Sequence, residues 1–571
     1  MRKCVQRIAA LALLSLLAAC GTLPRRPQPQ PAPAAKPVAY PQVVLTPRLM
    51  YNVLLGEIAG ERGDFNISTK YLGAAASSTK DPRLARRTTE IALYAGQYDR
   101  ACRAAQIWVQ AEPKSVAAHE AYAQSLLGDN RPKEARRELA TVLRLSPPDQ
   151  RADVYLAMAA LLARQPAGSD PSRLMQSLVA MNPRSAHAYF ALARLDAERV
   201  RIAAAAQAID KSLALKPAWE QAAIFKGRIL MLGGHAEQAA RFYRSFLYTY
   251  PQATELRLNY ARYLVNMKDW PAALREFEKV VRNRPDDTEA NYAGGLLAMQ
   301  MGRYQEASHY LHHTLALQPG NHRVEIDLGD LAEAQKRYAR ASYWFHRGAH
   351  GASRFNGELH LALLAVRENH LNRASARLDS LRGKGQVERV QLVLATDEVL
   401  SRQHRYHEAL RRLDLGLKRY PGNTQLLYAR ALAELKLGQL AANERDLRAI
   451  LKKDPQNVEA LNALGYTLTN HSTRYHEAFD LISRALKLQP GDPYIMDSMG
   501  WAYFRLGHLK KATQYLRQAL SARPDAEISA HLGEVLWKRG NHAEAEAVWK
   551  RALKQNPDSP SLKRVIKRFM R

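Results

Sequence analysis

The chain has 571 residues, 47% of them hydrophobic, and 84 Lys and Arg against 54 Asp and Glu give it a formal charge of +30. Single hydrophobic cores rarely grow past about 250–300 residues, so one compact globule is excluded. A basic excess of this size directs attention to anionic partners, nucleic acid or a membrane surface, and the compartment decides between them.

At the N-terminus Arg2, Lys3 and Arg7 precede an apolar run from Ile8 to Ala19, the layout of a secretory signal. The run is too short to cross a bilayer. It ends Leu17-Ala18-Ala19-Cys20-Gly21, which resembles the lipobox of bacterial lipoproteins. The resemblance implies a signal peptide at 1–19 and an acylated Cys20 at the mature N-terminus. Gly21 in place of Asp implies transport to the outer membrane, with the body facing the periplasm. Cys4 then leaves with the signal and Cys20 carries lipid, so Cys102 alone remains and no disulfide can form within the chain. Cys102 reads as a small buried apolar residue on a helix. Export makes nucleic acid an unexpected ligand, and the partners expected are periplasmic proteins.

Residues 20–46 form a proline-rich tether carrying Pro24, Pro27, Pro29, Pro31, Pro33, Pro37 and Pro41 with few large apolar residues. At about 3.1 Å per residue a polyproline II segment of this length reaches on the order of 80 Å. Such a segment can also serve as a ligand for an aromatic groove, and tethering is the preferred reading.

Residues 47–557 repeat. Prolines recur at Pro183, Pro217, Pro251, Pro285 and Pro319, each 34 residues after the last, then at Pro421, Pro455, Pro490, Pro524 and Pro557. Pro319 and Pro421 lie three periods apart. Pro82, Pro113 and Pro147 continue the ladder upstream with looser spacing. A 34-residue period predicts stacked helix-turn-helix units, none able to bury its apolar face alone.

Within each period the residues resemble the tetratricopeptide-repeat (TPR) family: Leu464-Gly465, Ala478, Ile482 and Ala485; Met499-Gly500, Tyr503, Ala512, Leu516 and Ala519; Leu532-Gly533, Ala545, Trp549 and Ala552. Gly295, Ala307 and Leu311 follow the same pattern. The resemblance implies an all-α TPR superhelical solenoid of about 15 helix pairs, the first units irregular. Two stretches match poorly, Leu161 to Pro183, interrupted at 165–171, and Phe355 to Val387, which lacks both marks. Beyond Pro557, residues 558–571 place Leu562, Val565, Ile566 and Phe569 at helical spacing, a basic capping helix for the last open face.

No catalytic constellation has its required context: HExxH, P-loop, GxGxxG, GxSxG and paired CxxC are all missing from the sequence. No enzyme activity and no cofactor are therefore expected. His309, His312 and His313 share one helix face but lack further ligands to complete a shell, so no metal site is expected.

In TPR arrays the first helix of each pair lines the binding groove. The positions that resemblance turns inward include Tyr428, Glu459, Asn462, Tyr466, Tyr494, Asp497, Trp501 and Phe504. Aromatic anchors among polar neighbours suit a protein-binding surface, while any one of them can equally be inter-helix packing. The basic excess reads first as general surface charge. Contact with an anionic surface is best supported at 550–571, where eight Lys and Arg meet only Asp558.

Lipobox, tether and long array together resemble the proteobacterial TPR lipoproteins that act as adaptors for carboxyl-terminal processing proteases and bring them cell-wall hydrolases. A scaffold or adaptor function is the leading expectation. The alternative is an assembly factor for an envelope machine such as a pilus, secretin or polysaccharide exporter.

Overall fold

The computed structural model describes residues 41–166 and 170–570. The expected signal peptide, Cys20 and the expected tether up to residue 40 lie outside the described residues. Among the described residues there are thirty-one α-helices and no strand, from Pro47–Glu61 to Pro560–Phe569. That is the number required by about fifteen pairs and a cap. The chain divides into two compact units, with the division between Arg303 and Tyr304.

Each unit is a succession of antiparallel helix pairs, with a first helix of about 13 residues and a second of about 14, as in Thr254–Asn266 and Trp270–Asn283. The proline ladder has a local cause. Pro113, Pro183, Pro285, Pro421, Pro455 and Pro490 each stand two residues before Ser115, Ser185, Asp287, Asn423, Asn457 and Asp492, the N-caps of first helices. The proline cannot continue the preceding helix, and the cap side chain accepts from amides in the first turn of the next. The proline carbonyl is satisfied by a side chain six residues on: His119 Nε2 lies 3.1 Å from Pro113 O, and Arg257 and Asn291 each donate at 2.9 Å to Pro251 O and Pro285 O.

A second ladder runs through the turns inside the pairs. Gly96, Asn130, Val200, Gly234, Lys268 and Gly302 all have φ between 58° and 78°. The later unit has the same left-handed turn residue at Lys336, Asn369, His404, Gly438, Gly507 and Gly540, with φ between 60° and 85°. At Gly302 the amide donates to Met299 O at 3.1 Å and the next amide reaches back to Ala298 O at 2.8 Å, a Schellman closure of the first helix.

Packing explains the small-large pattern that marks the family. A Cβ on Gly500 would lie 2.7 Å from Leu516 Cγ, so the first helix approaches the second only because no side chain intervenes. Leu516, Ala512 and Ala519 are themselves fully buried.

The poorly matching stretches are complete pairs with altered lengths. Pro171–Val179 has 9 residues and Leu371–Ser380 has 10, and the latter is followed by a long first helix, Gln386–Arg402, of 17. The first pair departs by length as well, with Pro47–Glu61 and Phe65–Thr79 at 15 residues each. At the other end Pro560–Phe569 buries Leu562 and Val565, and Phe569 stacks on Trp549 with ring centroids 5.9 Å apart.

Candidate protein-binding face

Three first helices of the later unit, Val458–His471, Pro493–Arg505 and Ala526–Lys538, bring most of the expected inward residues together. The Tyr466 hydroxyl donates to Glu527 Oε1 at 2.6 Å. Asp497 is buried and lies 3.0 Å through each carboxylate oxygen from His531 Nδ1. The Trp501 indole N–H donates to Asn470 Oδ1 at 2.9 Å. Its ring stacks on His531 at 4.2 Å and meets Phe504 at 4.8 Å.

The electrostatics follow from this crowding. Burial works to lower the His531 pKa, but the facing Asp497 carboxylate, with Glu527 and Glu534 nearby, outweighs it and the net displacement is upward. Burial and then the Glu527 carboxylate push the Tyr466 phenol above its ordinary value.

The network uses up much of the polar capacity predicted for a partner. Trp501 is only 8% exposed and joins the core beneath the cap. Tyr494, 46% exposed with the Arg523 guanidinium 5.0 Å from its ring centroid, is the most accessible aromatic of the group. Phe504, at the far end of the same helix and against Trp501, is half-buried. Asn462 is half-buried with a carbonyl oxygen lacking a hydrogen-bond partner, and Glu459 is half-buried on the same helix. Tyr428 lies on the earlier helix Thr424–Lys436 and packs against that repeat's core, outside the cluster.

Counting inward positions does not single out His531, Asn470 or Glu527, which complete the cluster. The signal pointing to His531 is its separation of 34 residues, one full repeat, from Asp497.

The histidine triplet is spread over local contacts. His312 Nδ1 lies 2.8 Å from Ser308 O on its own helix and its ring meets Trp344 edge-on, while His309 and His313 stand parallel 6.5 Å apart. Among the described residues no group of three or more His, Cys, Asp or Glu is placed to hold a metal ion. Cys102 is buried, and burial, then Asp129, pushes its thiol up to about 11. No helix among the described residues is long and apolar enough to cross a membrane. In the basic C-terminal segment Lys563 pairs with Asp558 at 3.1 Å and Arg568 with Glu534 at 3.5 Å.

The tetratricopeptide-repeat family model matches residues 90–150, 292–353, 429–493 and 498–560. The TPR repeat-containing protein PA4667 of Pseudomonas aeruginosa is 32% identical over 489 residues, 85% of this chain and 82% of that protein. The TPR repeat-containing protein YpiA of Bacillus subtilis is 23% identical, covering 59% of this chain and 88% of its own length. Among solved structures, the anaphase-promoting-complex hetero-tetramer Cut9-Hcn1 aligns over 92% of this chain and 97% of that one, with a TM-score of 0.39 and 13% identity. TPR repeats build surfaces that hold other proteins, which makes this chain a protein–protein interaction scaffold. The helix pairs, their glycine-to-large-residue crossings and the relationship to the Pseudomonas protein over most of both lengths show that the chain belongs to the tetratricopeptide-repeat family.

Proposed function

We propose that this scaffold is an outer-membrane lipoprotein, anchored through Cys20 and facing the periplasm. It serves there as an adaptor that brings a carboxyl-terminal processing protease to cell-wall hydrolases. The anchoring is supported by the Leu17-Ala18-Ala19-Cys20 sequence and the prolines that follow it. The observation that carries the adaptor reading is the face around Tyr494, an exposed aromatic on the same helix as Asp497 and Trp501, whose polar atoms are already paired with His531 and Asn470. Such a face offers apolar contact area at little cost in ordering or desolvation, the character of a reusable binding surface.

A photo-crosslinking amino acid at position 494, irradiated in intact cells, tests the proposal. Crosslinks to a processing protease or a cell-wall hydrolase support it. Crosslinks confined to pilus, secretin or polysaccharide-export subunits replace it with an assembly role. A mature N-terminus other than Cys20, or a Cys20 without acyl chains in mass spectrometry of the purified protein, would overturn the anchoring.

A further inference from the structure

The first helix, Pro47–Glu61, is apolar on two opposite sides. Its inner side packs on the next helix, Phe65–Thr79: Gly56 and Ala59 are buried, and a Cβ on Gly56 would lie 2.6 Å from Leu72 Cγ. Its outer side carries Met50 at 46% exposure, Tyr51 at 57%, Leu54 at 63% and Ile58 at 47%. These four fall within one stripe at helical spacing. Just before the helix, Val44 and Leu45 are exposed as well. A helix that is apolar all round is one that is covered all round, and a contiguous exposed patch of this kind marks a contact surface.

Charge decides what covers it. The sequence holds no Asp or Glu before Glu57, while Arg25, Arg26, Lys36 and Arg48 lie between Cys20 and that residue. Glu57 itself is paired with Arg87 at 3.0 Å. The exposed Lys70 stands with its Nζ 5.4 Å from the ring centroid of Tyr71, which meets Tyr51 edge-on at 5.8 Å, so a cation and two tyrosines rim the apolar stripe. That combination is the make-up of a helix lying in a membrane interface, with its apolar side below the headgroups and its cations among them. A second copy is disfavoured, because two chains of such basic charge repel each other. The basic helix Pro560–Phe569 is less suited to lipid, since it turns Leu562 and Val565 into the chain and presents charge outward.

We infer that the outer side of Pro47–Glu61 lies on the anionic lipid surface of the membrane that holds the anchor, with Met50, Tyr51, Leu54 and Ile58 entering the interface. The inference rests on the anchoring through Cys20 proposed above. The segment between Cys20 and Pro47 keeps the helix near the bilayer at an effective concentration of about a millimolar, so a weak intrinsic affinity suffices. The first repeats are thereby oriented on the membrane as well as tethered to it.

Two measurements test it. The first uses the chain from residue 20 onward carrying Cys20→Ala, sedimented with vesicles of phosphatidylethanolamine and phosphatidylglycerol in a three-to-one ratio, so its outcome is independent of acylation. Binding should be salt-sensitive, and Leu54→Asp together with Ile58→Asp should weaken it about ten-fold or more while the circular-dichroism melt stays in place. The second uses the acylated protein in the same vesicles with a polarity-sensitive fluorophore on Leu54→Cys, the buried Cys102 being closed to the label. Emission should shift to the blue and be quenched by nitroxide-labelled lipid, whereas the fluorophore on Tyr248→Cys, 91% exposed on a distant helix, should report water. Equal vesicle binding by the parent and the double Asp variant would overturn the inference, as would binding that the double variant keeps and removal of residues 558–571 abolishes. Water-like emission at position 54 in the acylated protein would overturn it too. A dimer in sedimentation velocity that the double variant abolishes would replace the lipid with a second copy. A chain that is not acylated but binds vesicles through Leu54 and Ile58 would count against the anchoring and uphold the lipid contact.

Discussion

Tyr466 and Glu527 are 61 residues apart in sequence and joined by a 2.6 Å hydrogen bond, so first helices two repeats apart are tied directly across the one between them. In a stack where each repeat meets only its neighbours, stability is a sum of nearest-neighbour terms. This bond adds a longer-range term, and it does so over Asp497, Trp501 and His531. Tyr466→Phe keeps the ring and removes the tie. Expected is a loss of about 1 kcal/mol in urea unfolding, with faster hydrogen exchange concentrated in helix Ala526–Lys538. Unchanged exchange there would mean the bond carries no coupling.

Trp501 and Tyr494 should respond oppositely to truncation. Trp501 is buried, so Trp501→Ala is expected to cost about 3–5 kcal/mol of stability, read by thermal unfolding. Tyr494→Ala should leave the melt within about 0.5 kcal/mol of the parent and reduce partner capture. A melt unaffected by the tryptophan change would contradict the packing described.

The His531–Asp497 pair makes stability depend on pH in a definite sense. Its imidazole is raised in the folded state, so the folded chain binds the proton more tightly than the unfolded one. The stabilisation is complete below the unfolded histidine value of about 6.5 and is lost as pH rises through the higher folded value. His531→Gln should therefore flatten this part of the melting-temperature profile between mildly acid and alkaline buffer. A variant with the parent's slope would remove the pair as its cause.

Glu434, a buried acid, acts on stability in the same pH sense at lower pH. Burial first and repulsion from Asp446 second push its carboxyl up to about 7, although Arg430 acts against them. Arg430 is already held by Asp446 at 2.6 Å and Asp414 at 2.7 Å. The folded state thus favours the protonated acid, and its contribution falls as pH rises from the unfolded value of about 4.3 to about 7. Glu434→Gln should stabilise the chain at alkaline pH by about 1–3 kcal/mol and change little near pH 4. Measured urea midpoints at the two extremes decide it; destabilisation at alkaline pH would show that the ionised form is the one the fold uses.

Two backbone positions test the repeat geometry. Val200 is β-branched, 79% exposed and at φ 58°, where the equivalent turns carry Gly, Asn, Lys or His. Val200→Gly should raise stability by about 1 kcal/mol. Gly533→Ala should lower it by about 1–3 kcal/mol, because the added methyl would collide with the fully buried indole of Trp549. Differential scanning calorimetry of both variants gives the signs, and a stabilising alanine would show that the crossing is looser than described.

The periodic parts of the fold were legible because they rest on local chemistry. Proline and N-cap sit within three residues of each other, and Gly500 and Leu516 within one pair. The shortened helix Leu371–Ser380 and the lengthened Gln386–Arg402 were not legible, since there the proline is missing and only Gly383 and Gly385 mark the break. The site was half visible. Position counting found Tyr466, Asp497, Trp501 and Phe504, but it cannot tell a side chain facing a partner from one turned into its neighbour. Whether Trp501 is a contact or a core residue depends on Asn470 and His531, which belong to the helices on either side.

The terminal helix has a consequence for association. Every repeat presents to its successor the same kind of apolar face, so a bare last repeat would accept the first helices of another copy and open-ended fibres could grow. Leu562, Val565 and Phe569 occupy that docking position from within the chain, and Lys563, Arg564 and Lys567 turn the outside of the closure cationic. A second copy reaching this apolar face would first have to displace those side chains and approach a cationic surface, so removing residues 558–571 should raise self-association measured by sedimentation velocity.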